Sequence, residues 1–279
     1  MAEQKKKRKS GEGEMSFLEH LEELRWHIIR SVVAIVVLMI VAFVFKNIIF
    51  DKIILAPKEP AFLTNRLLCQ LGQLVHIDAL CINTKPVNLI SIKMAGQITT
   101  HITVALVAGL ILAFPYILWE FWQFFKPALH PNERKHARGG VLAASLLFFA
   151  GVLFGYYVIV PLSVHFLGSY SVSEQVENQI NLISYISTVS SVTLATGVIF
   201  ELPILIFFLT KVGVVTPEFL RQYRKHAIIL ILVLAAIITP PDIFSQVLVC
   251  FPLIGLYEIS ILISGRVLRK QEARMKEDE

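Results

Sequence analysis

Four carboxylates stand out by their setting. Glu23 lies in Ser16-Phe17-Leu18-Glu19-His20-Leu21-Glu22-Glu23-Leu24-Arg25, directly ahead of an apolar run over 28–45. Glu133 is the only acid in a basic stretch, 126–138. Glu201 stands inside the apolar run Val198-Ile199-Phe200-Glu201-Leu202-Pro203, and Glu258 inside a later one, nearer its end. None has the company a catalytic acid needs. The chain carries no His-Glu-x-x-His, no Gly-x-Ser-x-Gly and no Gly-x-x-x-x-Gly-Lys. Its eight histidines show no metal-ligand spacing. The sequence therefore predicts binding and passage, not bond-making: no enzyme, no cofactor and no metal. A charge within a membrane span costs roughly 2.5–3.5 kcal/mol on insertion scales, so Glu201 must face a cavity, a partner or a proton.

The elements that carry these acids follow from composition. Of 279 residues, 55% are hydrophobic and 17% charged. A soluble domain of this length carries more charge. Long apolar runs make this a polytopic membrane protein with an all-α fold. Six apolar segments can be marked, at 27–46, 102–125, 139–167, 182–210, 226–239 and 243–265. No internal repeat is evident. Residues 1–15 read as a disordered basic cytoplasmic tail, 16–265 as a six-helix transmembrane domain with an amphipathic N-terminal helix, and 266–279 as a cytoplasmic C-terminal tail. The net charge of +5 fits loop charges that set orientation and makes no case for nucleic acid.

Ser16 with Glu19 three residues on forms a capping box that starts the first helix. Phe17, Leu18, Leu21, Leu24 and Ile28 share one side, and Glu19, Glu22 and Glu23 the other. A surface helix beside anionic lipid is normally basic, so an acidic one implies a cationic partner. Basic residues recur in the N-terminal tail, in 126–138, in 211–225 and after 265. The 168–181 loop has no Lys or Arg. By the positive-inside rule both termini are cytoplasmic.

Pro115, Pro161, Pro203 and Pro252 each remove a backbone donor within a span. They predict kinked helices forming a concave wall, with the freed carbonyls satisfied by neighbouring helices or a wet cavity. The fifth span is short, about 14 residues or about 21 Å at 1.5 Å per residue, against a hydrocarbon core of about 30 Å. A tight turn, Thr239-Pro240-Pro241-Asp242, follows it, so either this hairpin does not fully cross the membrane or the bilayer thins beside it, and the even number of crossings that the charge pattern needs favours thinning. Asp242 caps the sixth helix, and Gln246 one turn in can hydrogen-bond across helices. Cys69 and Cys81 lie in the long first loop, 46–101, where they pair if it faces an oxidising compartment and stay free thiols if it does not. Cys250 in the last span packs.

Together these stretches resemble TatC, the polytopic subunit of the twin-arginine protein translocase. The resemblance rests on Phe17 to Arg25, on Phe124 with Pro127-Ala128-Leu129 and Glu133-Arg134, on Gly197 to Pro203, and on Thr239 to Gln246. It runs in order from about residue 16 to 265. It implies a glove-like arrangement of six spans in the cytoplasmic (inner) membrane. The implied receptor recognises signal peptides with two consecutive arginines, on cargo exported already folded and driven by the proton gradient. Glu23 and Glu133 would form the acidic patch that meets the arginine pair, with Arg25, Phe124 and the neighbouring Glu22 at the same site. Glu201 would serve the single-span TatA-like and TatB-like partners, within a translocase where this chain is a homo-oligomer.

Three departures from the family pattern stand out. His27 occupies a position often basic, predicting a weaker or pH-sensitive interfacial anchor. The first external loop is long. Lys126 stands before Pro127 where a small residue is common. Two rivals remain open. One is a proton-coupled secondary transporter of a small solute with Glu201 as relay, and the other an insertase that handles spans without reading arginines.

Overall fold

The computed structural model describes residues 17–77, 80–84, 88–125, 137–171, 173, 175, 178–238 and 243–277. Helix α1 spans Phe17–Val44. The expected surface helix and the first span are one continuous rod, because no Gly or Pro interrupts residues 17–44. A π-helical turn, Ile48–Ile54, and a 3-10 turn, Ala56–Lys58, lead to α2, Leu63–Val75. Strand β1, Leu89–Ile90, precedes α3, Gly96–Phe125. The third apolar segment folds as α4, Ala137–Phe154, a π-helical turn over Gly155–Ile159, and α5, Val160–Ser169. Strand β2, Ile180–Asn181, leads into α6, Leu182–Ile199, then α7, Leu202–Lys211. Helices α8, Pro217–Gln222, α9, Arg224–Ile238, and α10, Ile243–Glu277, complete the chain.

Five helical stretches are long and apolar enough to cross a membrane: Leu21–Val44, Gly96–Phe124, Gly139–Ser169, Leu182–Lys211 and Val249–Ala273. The segment expected as a short fifth span is α9, whose 15 residues measure about 22 Å. The segment at 266–279, expected as a separate tail, continues α10 as helix to Glu277. Gln271 fastens this extension by donating to the Lys211 carbonyl at 3.1 Å. Ser16, the basic tail at 1–15, Glu133, Pro240, Pro241 and Asp242 lie outside the described residues.

The helices form a connected wall. α1 packs chiefly along α3, α3 meets α4 and α6, and α7 packs on α10, which also carries α9. The main core gathers Ile159, Val160, Ile186, Val189, Val192, Val249 and Leu253. The α1–α3 crossing is close because Ala105 and Ala113 are small and buried, and Gly109 lies between them. A Cβ on Gly109 would stand 2.7 Å from the Met39 nitrogen and 3.0 Å from the Ile35 carbonyl oxygen. In lipid, such small-residue contacts take the place of hydrophobic driving force between helices. At one end of this pair the rings of Phe43 and His101 stack at 3.8 Å.

The prolines act in two ways. Pro115 and Pro252 remain inside continuous helices. Pro203 instead stands in the first turn of a new segment, where a missing N–H costs nothing, whereas Pro161 lies within the continuous helical stretch 139–169 just after its π-helical turn. Pro203 thus marks a break in the fourth span, not a kink. Pro161 cannot donate to the Tyr157 carbonyl, and the Thr64 hydroxyl does so instead at 2.5 Å. Carbonyls of the first π-helical turn are met likewise: Tyr156 donates to Ile53 and Tyr185 to Ile54, at 2.7 and 2.8 Å.

The long loop was unreadable as a domain but is ordered around a polar knot. Buried Asn65 donates to the carbonyls of Pro57 and Glu59. Asn83, in the left-handed region at φ 51°, donates to Asn65 and to the Pro161 carbonyl. Cys69 and Cys81 form a disulfide that ties α2 to the segment leading to Asn83. β1 pairs in parallel with β2, Leu89 opposite Ile180, and so joins the two loops at this end.

Replacing Gly109 by Ala should force α1 and α3 apart and cost about 1–3 kcal/mol, measured by denaturant titration in detergent. Gly139→Ala, where nothing lies within 4 Å of an added Cβ, is the control. Equal stability of the two variants would contradict the packing described.

Candidate functional site

The end of the molecule where α1 begins and α3 finishes carries a cluster of ionisable side chains, Glu120, His27, Tyr116 and Arg30. Glu120 on α3 is 4% exposed. Its Oε2 lies 2.5 Å from Nδ1 of His27 on α1. Its Oε1 accepts from the Tyr116 hydroxyl at 2.6 Å. Nη1 of Arg30, on a half-exposed side chain, stands 3.8 Å from Oε2. Each carboxylate oxygen therefore has its own donor, which is the condition for tolerating a buried charge. His27, expected as an interfacial anchor, is instead buried at 8% exposure and locked to Glu120.

This pair fixes the neighbours one turn away. Glu23 precedes His27 by four residues, and Phe124 follows Glu120 by four, so both lie toward the same end on the contacting faces. The Phe124 ring meets His27 edge-on at 6.3 Å. Glu23 is half-buried, and its Oε2 is buried with no hydrogen-bond partner among the described residues. Such an orphan acceptor is costly and suits a cationic donor. Glu22 and Arg25 are exposed beside it. Of the sequence-derived residues, Glu22, Glu23, Arg25 and Phe124 are thus gathered at one end, while Glu133 falls outside the described residues.

Glu120 escaped sequence reasoning. The signal was present: it is an acid within the second apolar segment, with Tyr116 one turn before it. The rule that singles out Glu201, that a carboxylate in a span needs a partner, holds equally for Glu120.

Glu201 marks the break between α6 and α7. Its backbone N–H bonds to the Val198 carbonyl at 3.1 Å, and its Oε1 is buried without a partner among the described residues. Ser190 and Thr193 on α6 bear buried hydroxyls in the same condition. Gln246 donates from α10 to the Leu232 carbonyl of α9 at 3.2 Å, a cross-helix bond of the kind its position suggested. Glu258 is held by Arg224 at 2.8 and 3.0 Å, so its charge is already answered.

The comparisons with known proteins agree with one another. Residues 19–252 match the family described as Sec-independent protein translocase protein (TatC). A Sec-independent protein translocase protein TatC of Blattabacterium sp. subsp. Periplaneta americana is 40% identical over 94% of this chain and 100% of its own. Its counterpart in Deinococcus radiodurans is 39% identical over 90% of this chain and 86% of its own. The solved crystal structure of the twin arginine translocase receptor TatC superposes with a TM-score of 0.70 at 33% identity, covering 90% of this chain and all of that one. The class is therefore a multi-pass helical membrane component of a protein translocase. Within that class the chain belongs to the TatC family, the twin-arginine translocase subunits. A small-solute transporter finds no support in these comparisons.

Substituting Glu120 by Ala should strip the partner from buried His27 and the Tyr116 hydroxyl, and destabilise the α1–α3 pair by about 1–3 kcal/mol. Thermal unfolding in detergent reads this, with exposed Glu22→Ala as the neutral control. An unshifted midpoint for Glu120→Ala would rule the pair out as a structural tie.

Proposed function

We propose that this chain is the signal-peptide receptor of its translocase, binding paired arginines at the end shared by α1 and α3 on the cytoplasmic side. The observation that carries the reading is the buried carboxylate oxygen of Glu23, without a partner among the described residues and set beside the locked His27–Glu120 pair and Phe124. A guanidinium forks onto a carboxylate where an ammonium makes only a point contact, so acids here favour Arg-Arg over Lys-Lys. Glu133 is assigned as the second acid, with Glu22, Arg25 and Phe124 framing the site. Exposed ion pairs give only about 0–1 kcal/mol each, whereas micromolar binding needs about 8 kcal/mol. The apolar segment of the signal supplies the remainder along the helical wall.

The rest of the reading concerns assembly. Both termini face the cytoplasm, α9 acts as a short membrane segment in a six-span topology, and the proton gradient drives export of folded cargo. Single-span TatA-like and TatB-like subunits dock against the break at Glu201, whose Oε1 has no partner among the described residues, and Gln246 lends the neighbouring α9–α10 pair rigidity. The chain acts as one of several copies in that assembly.

Glu23→Ala and Glu133→Ala should each abolish photocrosslinking of an Arg-Arg signal peptide while leaving the chain inserted. Crosslinking at the level of the unsubstituted chain would remove these acids from the site. Glu201→Ala should spare that crosslinking and reduce co-purification of the single-span partners. Normal co-purification would count against the docking role.

A further inference from the structure

A groove of about 770 Å³ runs between α2 and α5 at the end of the molecule opposite the His27–Glu120 pair. Leu63 and Leu67 line one side of it, and Tyr157, Leu162 and Phe166 the other. His165 also faces it, and no Asp, Glu, Lys or Arg does among the described lining residues. An ionic ligand would find no counter-charge there.

The depth of the groove follows from the spans. Gly139–Ser169 is a 31-residue stretch long and apolar enough to cross a membrane, about 46 Å long against a hydrocarbon core of about 30 Å. Tyr157 lies twelve residues before its end at Ser169, so about 18 Å along the axis. Centred in the core, that residue sits about 10 Å inside the hydrocarbon. The start of α2 is pinned at this depth, because Thr64 donates to the Tyr157 carbonyl left free by Pro161. Asn83 holds the far side of the loop to the Pro161 carbonyl. Yet α2 turns Leu63, Leu67, Leu71 and Leu74 outward, the last 76% exposed. These positions fall on one helical face, with Asn65, Arg66 and Gln73 off it. A helix held at this level with its leucines outward meets acyl chains, and its exposed face continues the lipid-facing surface of the span beside it.

We propose that α2 is embedded in one leaflet and that the groove between α2 and α5 holds an acyl chain of a membrane phospholipid. The loop that carries α2 is then a membrane-facing element, with the Cys69–Cys81 disulfide and the Asn65–Asn83 knot keeping the groove open. The site is distinct from the signal-peptide site at the other end and does not rest on it.

The test uses the full chain in proteoliposomes of phosphatidylethanolamine and phosphatidylglycerol, doped with a phosphatidylethanolamine carrying a diazirine midway along one acyl chain. After illumination, adducts are mapped by mass spectrometry. The exposed α1 residues Val33, Val37 and Ile40 serve as the general lipid-contact reference. Adducts are expected on peptides containing Leu67 and Leu162 at or above the α1 level. In Leu67→Trp, which fills the groove, they should fall several-fold relative to α1. Adducts on α1 with none on α2 or α5 would overturn the proposal. So would a p-benzoylphenylalanine at position 67 that captures a protein chain in place of lipid. The adduct map of the unsubstituted chain decides the matter even if Leu67→Trp fails to insert.

Discussion

Inside hydrocarbon a backbone carbonyl or carboxylate has no water to turn to, and several irregularities in these spans are answered by a donor elsewhere in the chain. Pro161 frees the Tyr157 carbonyl, and Thr64 meets it. The π-helical turn after α1 is met by Tyr156 and Tyr185. Glu120 is met on both oxygens by His27 and Tyr116. The same constraint makes the exceptions informative. Glu23 and Glu201 each keep a buried oxygen without a partner among the described residues. Orphans of this kind are rare in folded proteins and cost about 1–3 kcal/mol.

The two ends of the molecule are thus built differently. At the end where α1 starts, charge is gathered and partly neutralised, which lets α1 and α3 meet closely while holding an acceptor in reserve. At the other end, polar groups are consumed internally by the Asn65–Asn83 knot, the β1–β2 pair and the disulfide, leaving an outward surface of leucines. Between them, Ala105, Gly109 and Ala113 allow α1 and α3 to run in contact, so the position of Glu23 is inherited from packing along the whole helix pair.

The sequence was most legible where hydropathy alone decides structure. The helical class and the apolar segments emerge from run length, since a span must be long and apolar whatever surrounds it. Finer features depended on partners distant in the chain. The break at Glu201 and Pro203 could be seen as a strained point, but whether it bends or interrupts the helix depends on what packs there. His27 looked interfacial because nothing nearby revealed Glu120, 93 positions away. Helix α2 and the two-residue strands were invisible because their stability comes from cross-chain bonds at Asn83 and Ile180, not from local propensity. The join of the acidic helix to the first span is legible in the absence of any Gly or Pro over 17–44.

The central claim is that carboxylates at the shared end of α1 and α3 select guanidinium pairs. The most direct measurement is equilibrium binding of a fluorescent signal peptide to the purified chain in lipid nanodiscs, comparing Arg-Arg with Lys-Lys in an otherwise identical peptide. The account predicts tighter binding of Arg-Arg by about tenfold or more, about 1.4 kcal/mol, with the difference erased in Glu23→Ala. Equal affinities for the two peptides on the unsubstituted chain would contradict it.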